Sequence, residues 1–224
     1  MFVGHIGVGL ALKKAEPKLN LGAIVFASLL LDVLLGIFIL TGLETVIVPE
    51  DYAQLHYLYF RFPYSHSFLA SLIWSLIALG VTYALCNRET RPAKLVSSLT
   101  IAAAVMLHWI CDWIEHPPQL PIANSESALL GFGLWNNLPL ALTLEVLLVA
   151  IGVFLYFKAS KRIGRKTRRA VIGFIILLTS VAVIGQATVT QVPEPNALAI
   201  SILIQALVVS ALACWVDREP TSAQ

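Results

Sequence analysis

Six long apolar stretches separated by short polar connections constrain this chain more than any other feature of its sequence. A helix that crosses a bilayer needs ~20 mostly apolar residues, and each stretch comes close to that length. Only 12% of the 224 residues are charged, whereas a soluble domain carries about 25%. The sequence therefore predicts an all-α, polytopic membrane helix bundle rather than a soluble domain. The predicted spans are roughly residues 21–43, 68–86, 95–114, 138–157, 170–189 and 197–216.

A seventh apolar stretch, residues 2–12, is too short to cross a membrane and predicts a re-entrant segment or half-helix. The composition shows no linker or repeat, so a single membrane domain over residues 1–224 is expected. Within it, residues 1–157 hold the candidate site. Residues 158–224 are expected to form two supporting helices.

The lysines and arginines alternate between connections, and fourteen of the fifteen fall on one predicted side of the membrane. Arg61 is the exception. Under the positive-inside rule, the basic side is cytoplasmic and both termini face it. The dense basic cluster at residues 158–169 is also compatible with a nucleic-acid patch. We favour a topology anchor that touches anionic lipid headgroups, with no nucleic-acid partner.

Ionisable side chains inside spans are expensive and mark candidate functional sites. Here they concentrate in the first four spans and the N-terminal stretch. The last two spans carry only Gln186 and Gln205 as interior amides, which predicts a scaffolding role for both spans. The residues singled out are His5, Asp32, His66, His108, Asp112, His116 and Glu145.

Spacing indicates that these side chains meet. His108, Asp112 and His116 lie four residues apart in succession, which places them on one helix face. At 1.5 Å per residue, His5, Asp32 and His108 rise to roughly 12, 18 and 20 Å above the basic side. Imidazole and carboxylate together suit Zn²⁺, and also Mn²⁺ or Fe²⁺. Any one of the histidines alone is more often a hydrogen-bonded packing residue, so the prediction rests on their conjunction.

Four motifs carry a resemblance to a known family. They are MFVGH (1–5), FPYSHS (62–67), LHWICDWIEHPPQLP (107–121) and GFGLWN (131–136). In this order they resemble the bacterial membrane-bound metal-dependent hydrolases, a family that includes a LexA-regulated inner-membrane member. The chain departs from the family pattern at LDVL in the first span and at Gln119, where acidic residues are usual.

The resemblance implies metal ligands at His5, His66, His108 and Asp112, with Asp32 as a further ligand or nearby acid. It also implies residence in the bacterial inner membrane. The metal would be divalent, with zinc favoured over manganese or iron.

A hydrolase of this kind uses metal-activated water as its nucleophile. Glu145 or Asp32 is expected to act as general base and His116 as general acid. Ser65, Ser67 and Asn136 are expected to orient the ligands. The substrate would be a lipid or amphipathic ester or phosphoester drawn from the surrounding membrane lipids. Two other classes remain open at this point: a metal or proton transporter or channel, and a non-catalytic membrane scaffold.

Overall fold

The computed structural model describes residues 1–159 and 164–217 and is an all-α helix bundle with two small β-hairpins. Lys161, Arg162 and Arg218, which belong to the predicted basic side, lie outside the described residues. The helices are α1 (Val3–Leu12), α2 (Leu21–Ser28), α3 (Leu30–Leu40), α4 (Tyr52–Leu55), α5 (Phe68–Leu85), α6 (Arg91–Glu115), α7 (Leu138–Ala159), α8 (Arg165–Thr188) and α9 (Pro195–Val216). A 3₁₀ helix spans Leu134–Asn136.

The long helices match the predicted spans. Five of them are long and apolar enough to cross a membrane, and α2 with α3 makes a sixth if the bent pair is one span. Large apolar side chains remain exposed on their outer faces, for example Leu177 at 62% and Ile184 at 61% on α8. Faces of this kind pack against lipid, because a water-soluble protein rarely exposes such continuous apolar surface. The chain is a multi-pass membrane protein.

The first predicted span is not a straight helix. It breaks at Leu29, and α2 and α3 meet at an angle of 51°. The Ser28 carbonyl oxygen at the break accepts a hydrogen bond from His108 Nδ1 at 2.7 Å. A backbone carbonyl that loses its helical hydrogen bond inside a membrane must find another partner within the protein. The His108 imidazole is that partner.

Helix α1 is a half-helix, as the sequence predicts. Its ten residues extend about 15 Å, and most of them are buried. It crosses α7 where Gly7 meets Gly152, and the missing side chains let the two backbones touch. This crossing fixes the depth of His5.

The two ends of the bundle differ. At one, Lys13 Nζ pairs with Asp217 Oδ2 at 2.5 Å, and Arg88 lies 3.8 Å from Glu16. We call this the basic end, and these contacts show that the connections around residues 13–20 and 86–90 share it with Asp217. The opposite end, called the hairpin end, carries antiparallel pairs β1 (Thr45–Ile47) with β2 (Tyr59–Arg61) and β3 (Leu120–Pro121) with β4 (Leu129–Leu130).

Candidate metal centre

Helix α6 contributes the largest share of the site. His108 and Asp112 are one turn apart and buried, and His116 follows at the helix end. His5 reaches the same point from α1. His66 lies between β2 and α5, directly before Ser67, which is the N-cap residue of α5. The site is therefore assembled from segments that are distant in sequence.

Asp112 lies at the centre of this group. Its Oδ1 is 3.1 Å from His5 Nε2, and its Oδ2 is 3.1 Å from His108 Nε2 and 3.5 Å from His66 Nε2. Asp32 Oδ1 is farther, at 3.8 Å from His66 Nε2 and 3.9 Å from His108 Nε2. The structure thus brings together all five residues predicted as metal ligands.

Hydrogen bonds fix which ring nitrogen of two histidines carries the proton. A carbonyl oxygen can only accept, so His108 Nδ1 donates to Ser28 O at 2.7 Å. Ser65 Oγ donates to Glu44 Oε2 at 2.6 Å and is therefore available to accept from His66 Nδ1 at 2.7 Å. In their neutral forms both rings then carry a lone pair on Nε2, the form in which imidazole binds metals.

These two lone pairs face each other. His66 Nε2 and His108 Nε2 are 3.2 Å apart, with Asp112 Oδ2 beside them. Three acceptors in a buried site repel one another unless a cation, a proton or a metal ion, lies among them. One ligand atom from each of these residues lies within 4.8 Å of the other two, and the same holds for His5, Asp32 and His108. Because both groups use His108, a single ion fits them better than two independent ions.

His5 adds an orphaned polar group. Its ring stacks on that of His108 with centroids 3.7 Å apart, and neither ring nitrogen has a well-oriented hydrogen bond among the described residues. A buried imidazole without a well-oriented hydrogen bond is unfavourable, even though its Nε2 lies 3.1 Å from Asp112 Oδ1. A bound metal ion would satisfy it, so the donor set fits such an ion.

His116 differs from the other histidines. Gln119 Oε1 accepts from the Phe60 amide, so Gln119 Nε2 points to His116 Nδ1 at 2.6 Å and donates to it. The neutral ring then keeps its proton on Nε2, which lies 3.8 Å from Asp112 Oδ1. This arrangement makes His116 a proton donor towards the cluster and not a ligand.

Sequence reasoning missed Glu44. It is buried in the connection after α3, and its carboxylate accepts from the Tyr64 and Ser65 amides and the Ser65 hydroxyl. Burial raises the pKa of Glu44, and the three donors oppose that rise. Glu44, Ser65 and His66 form a chain that orients the His66 ring. No local sequence motif predicts the role of Glu44, because its partners lie about twenty residues away.

Three predicted residues have other partners. Glu145 Oε2 accepts from the backbone amides of Phe2 and Gly4, both at 3.0 Å, and so caps the start of α1. Ser67 caps α5 through Ala70. Asn136 Oδ1 accepts from Tyr57. Ser65 contacts a candidate ligand as expected, whereas Ser67 and Asn136 make no hydrogen bond to a candidate ligand within the described residues.

Further contacts surround the cluster. Trp109 Nε1 donates to the His66 carbonyl at 2.9 Å, and Trp135 Nε1 donates to Glu115 Oε2 at 2.9 Å. The amino group of Met1 lies 3.3 Å from Asp112 Oδ1 and 3.4 Å from Glu115 Oε2. The Trp109 and Met1 contacts help to hold His66 and Asp112 in place. They involve an indole and a terminal amine, which a search for ionisable side chains does not find.

The cluster is accessible from outside at Asp32. Its side chain is 24% exposed, whereas those of His5, His66, His108 and Asp112 are at most 3% exposed. The exposed side of Asp32 lines a cavity of about 300 Å³ between α3, α8 and α9. A ligand in this cavity would reach the cluster past Asp32.

Comparison with known proteins places the chain in no group: no family model, curated protein or solved structure matches it. The likeness of its motifs to the membrane-bound metal-dependent hydrolases therefore stays a prediction.

The Ser65→Ala variant should bind a divalent metal ~10–100-fold more weakly than the wild type, the usual effect of losing a group that orients a ligand. Without the hydroxyl, His66 loses its orienting partner and Glu44 loses one donor. Competition with a chromogenic chelator measures the affinity.

Ser98→Ala is the matched control, because among the described residues the hydroxyl of Ser98 on α6 bonds only to the carbonyl of Lys94. An unchanged affinity in Ser65→Ala would remove the Glu44–Ser65–His66 chain from the description of the site.

Proposed function

We propose that this protein is a membrane-embedded, metal-dependent hydrolase of a lipid or amphipathic ester or phosphoester. The observation that carries the proposal is the meeting of the His66 and His108 Nε2 lone pairs at 3.2 Å beside Asp112. Zinc suits this donor set best, and manganese or iron would also be accepted. The motif resemblance supports the same class.

His5, His66, His108 and Asp112 would hold the metal, with Asp32 at the edge of the set. When bound, a divalent metal lowers the pKa of water from 15.7 towards ~7 and polarises an ester or phosphoryl oxygen. Substrate would have access to the cluster at Asp32, whose side chain faces the cavity.

Asp32 would carry the proton transfer, and His116 would supply a hydrogen-bond donor. The Asp32 carboxylate faces both the cluster and the cavity, so it is placed to accept the proton of the attacking water. Asp32 then returns this proton to the leaving alcohol, and the Nε2–H of neutral His116 offers a hydrogen bond towards the cluster. The proposal moves Glu145 out of these roles, because its Oε2 caps α1.

The orientation of the protein in the membrane is inferred from the charge pattern. We infer that the basic end of the bundle faces the cytoplasm and that both termini lie there, following the positive-inside rule. The motif resemblance supports a location in a bacterial inner membrane. Substrate would then enter from the membrane or from the outer face, since the cluster lies in the hairpin-end half.

The test uses wild-type protein purified in detergent and reconstituted in vesicles. We expect about one bound divalent ion per chain, hydrolysis of a fluorogenic lipid ester or phosphodiester, loss of turnover on chelation, and recovery when the metal is restored. Metal flux across the vesicles without turnover would instead identify a transporter. A folded protein that contains no metal and gains none would overturn the proposal.

A further inference from the structure

The cavity beside Asp32 has an unusual lining for a site inside a membrane protein. It is formed by α3, α8, α9, the α2–α3 break and the loop segments at the hairpin end. Apolar side chains make most of the wall, but three polar side chains also face it: Asp32, Gln186 and Gln205. Helices α8 and α9, which the sequence assigns to scaffolding, therefore supply two of the three.

The two glutamines differ from three other polar residues of α8 and α9. Thr188, Ser201 and Ser210 each donate to a carbonyl of their own helix at 2.7 Å. Neither glutamine amide makes a hydrogen bond within the part of the chain that the structure describes. Gln186 is half-buried and Gln205 is partly exposed, so both amides are free to hydrogen-bond to a polar group in the cavity.

The depths of the three polar residues below the hairpin end support one shared ligand. Gln205 lies ten residues after Pro195 at the start of α9, and Asp32 lies eight residues before the end of α3 at Leu40. At 1.5 Å per residue these positions are about 15 and 12 Å below the hairpin end. Gln186 lies closer to that end, two residues before the end of α8. The polar groups thus form a path from the hairpin end to the cluster.

The chemistry of the lining selects the ligand. No lysine or arginine faces the cavity, and the amino group of Met1, which also lines it, is paired with Asp112 and Glu115. Asp32 would therefore repel an anion placed beside it. Two primary amides offer donors and acceptors that match hydroxyl and ester carbonyl groups. The volume of about 300 Å³ holds roughly ten water-sized groups, which is enough for a glycerol ester but not for its acyl chains.

We propose that Gln186, Gln205 and Asp32 form a subsite for the uncharged hydroxyl-and-ester region of a glycerolipid of the diacylglycerol type. The acyl chains extend past the exposed side of Gln205 into the surrounding lipid. Cleavage of that ester rests on the proposed function. Binding of the lipid does not depend on it.

The test measures binding by photo-crosslinking. Wild-type protein in phosphatidylcholine vesicles receives a diacylglycerol analogue with a diazirine near the glycerol, and the label is mapped by peptide mass spectrometry. We expect labelled peptides from α3, α8 and α9. Each of Gln186→Leu and Gln205→Leu should reduce the yield about fivefold, the effect of one lost hydrogen bond.

Ser201→Ala is the matched control, because it removes a polar group of α9 that does not face the cavity. Asp112→Asn separates the two proposals: it should keep the labelling even if metal binding and turnover are lost. Labelling that maps elsewhere in the wild type would overturn the subsite. Stronger competition by phosphatidic acid than by unlabelled diacylglycerol would overturn the uncharged class.

Discussion

The Asp112→Asn protein should be folded but should bind a divalent metal more than ~100-fold more weakly than the wild type, a larger loss than a change outside the ligands causes. Asp112 contacts His5, His66 and His108, so its negative charge is shared by the whole donor set. The asparagine amide keeps the shape and can donate to the Nε2 lone pairs that face it. The amide can therefore take the place of the cation as a hydrogen-bond donor. It lacks the negative charge of the carboxylate, which attracts a metal ion.

Metal content by mass spectrometry and the thermal midpoint are both needed for Asp112→Asn. Glu126→Gln makes the same change of charge on an exposed loop residue and should leave both quantities unaltered. If Asp112→Asn kept stoichiometric metal, the centre of the site would lie elsewhere. If neither protein held metal, the acceptors around His108 would share a proton instead.

Gly152→Ala should lower the thermal midpoint by roughly 5 °C and weaken metal binding as well. An added methyl group on Gly152 would overlap the backbone carbonyl of Gly7, and backbone cannot move aside as a flexible side chain does. Helix α1 must then shift away from α7. Because α1 carries His5 and receives the Glu145 cap, the displacement reaches the site.

Gly173→Ala is the control for this effect. Gly173 lies within α8, and no atom of the described residues lies within 4 Å of the position that its methyl group would take. Its thermal midpoint and metal affinity should match the wild type. Equal behaviour of the two variants would show that the contact between α1 and α7 tolerates separation and does not position His5.

The sequence alone predicts the helices and the meeting of five side chains, because both follow from local geometry. Rise per residue sets the depths of His5, Asp32 and His108, and the four-residue spacing aligns His108 with Asp112. The rise per residue and the four-residue spacing are enough to predict one compact donor set, without knowledge of the tertiary contacts. The break at Leu29 is different, since it depends on an imidazole eighty residues away.

The partners of the ligands could not be predicted in the same way. Glu44 and Gln119 lie in connections between elements, and their roles depend on how two hairpins fold over the bundle. Glu145 carries the signal of a catalytic carboxylate, an acid inside a span. Its position opposite the first turn of α1 gives it a different partner, which only the packing of α1 on α7 determines.

The cap on α1 also bears on how the protein is made. Glu145 follows Phe2 by 143 positions, so at 5–20 residues per second the ribosome needs roughly 10–30 s to supply the carboxylate after the N-terminal segment has emerged. Until then the first amides of α1 have no acceptor at membrane depth, and they must stay near water. The half-helix is therefore expected to sink into the membrane late, once α7 has left the translocon. His5 would then be the last of the five side chains to arrive.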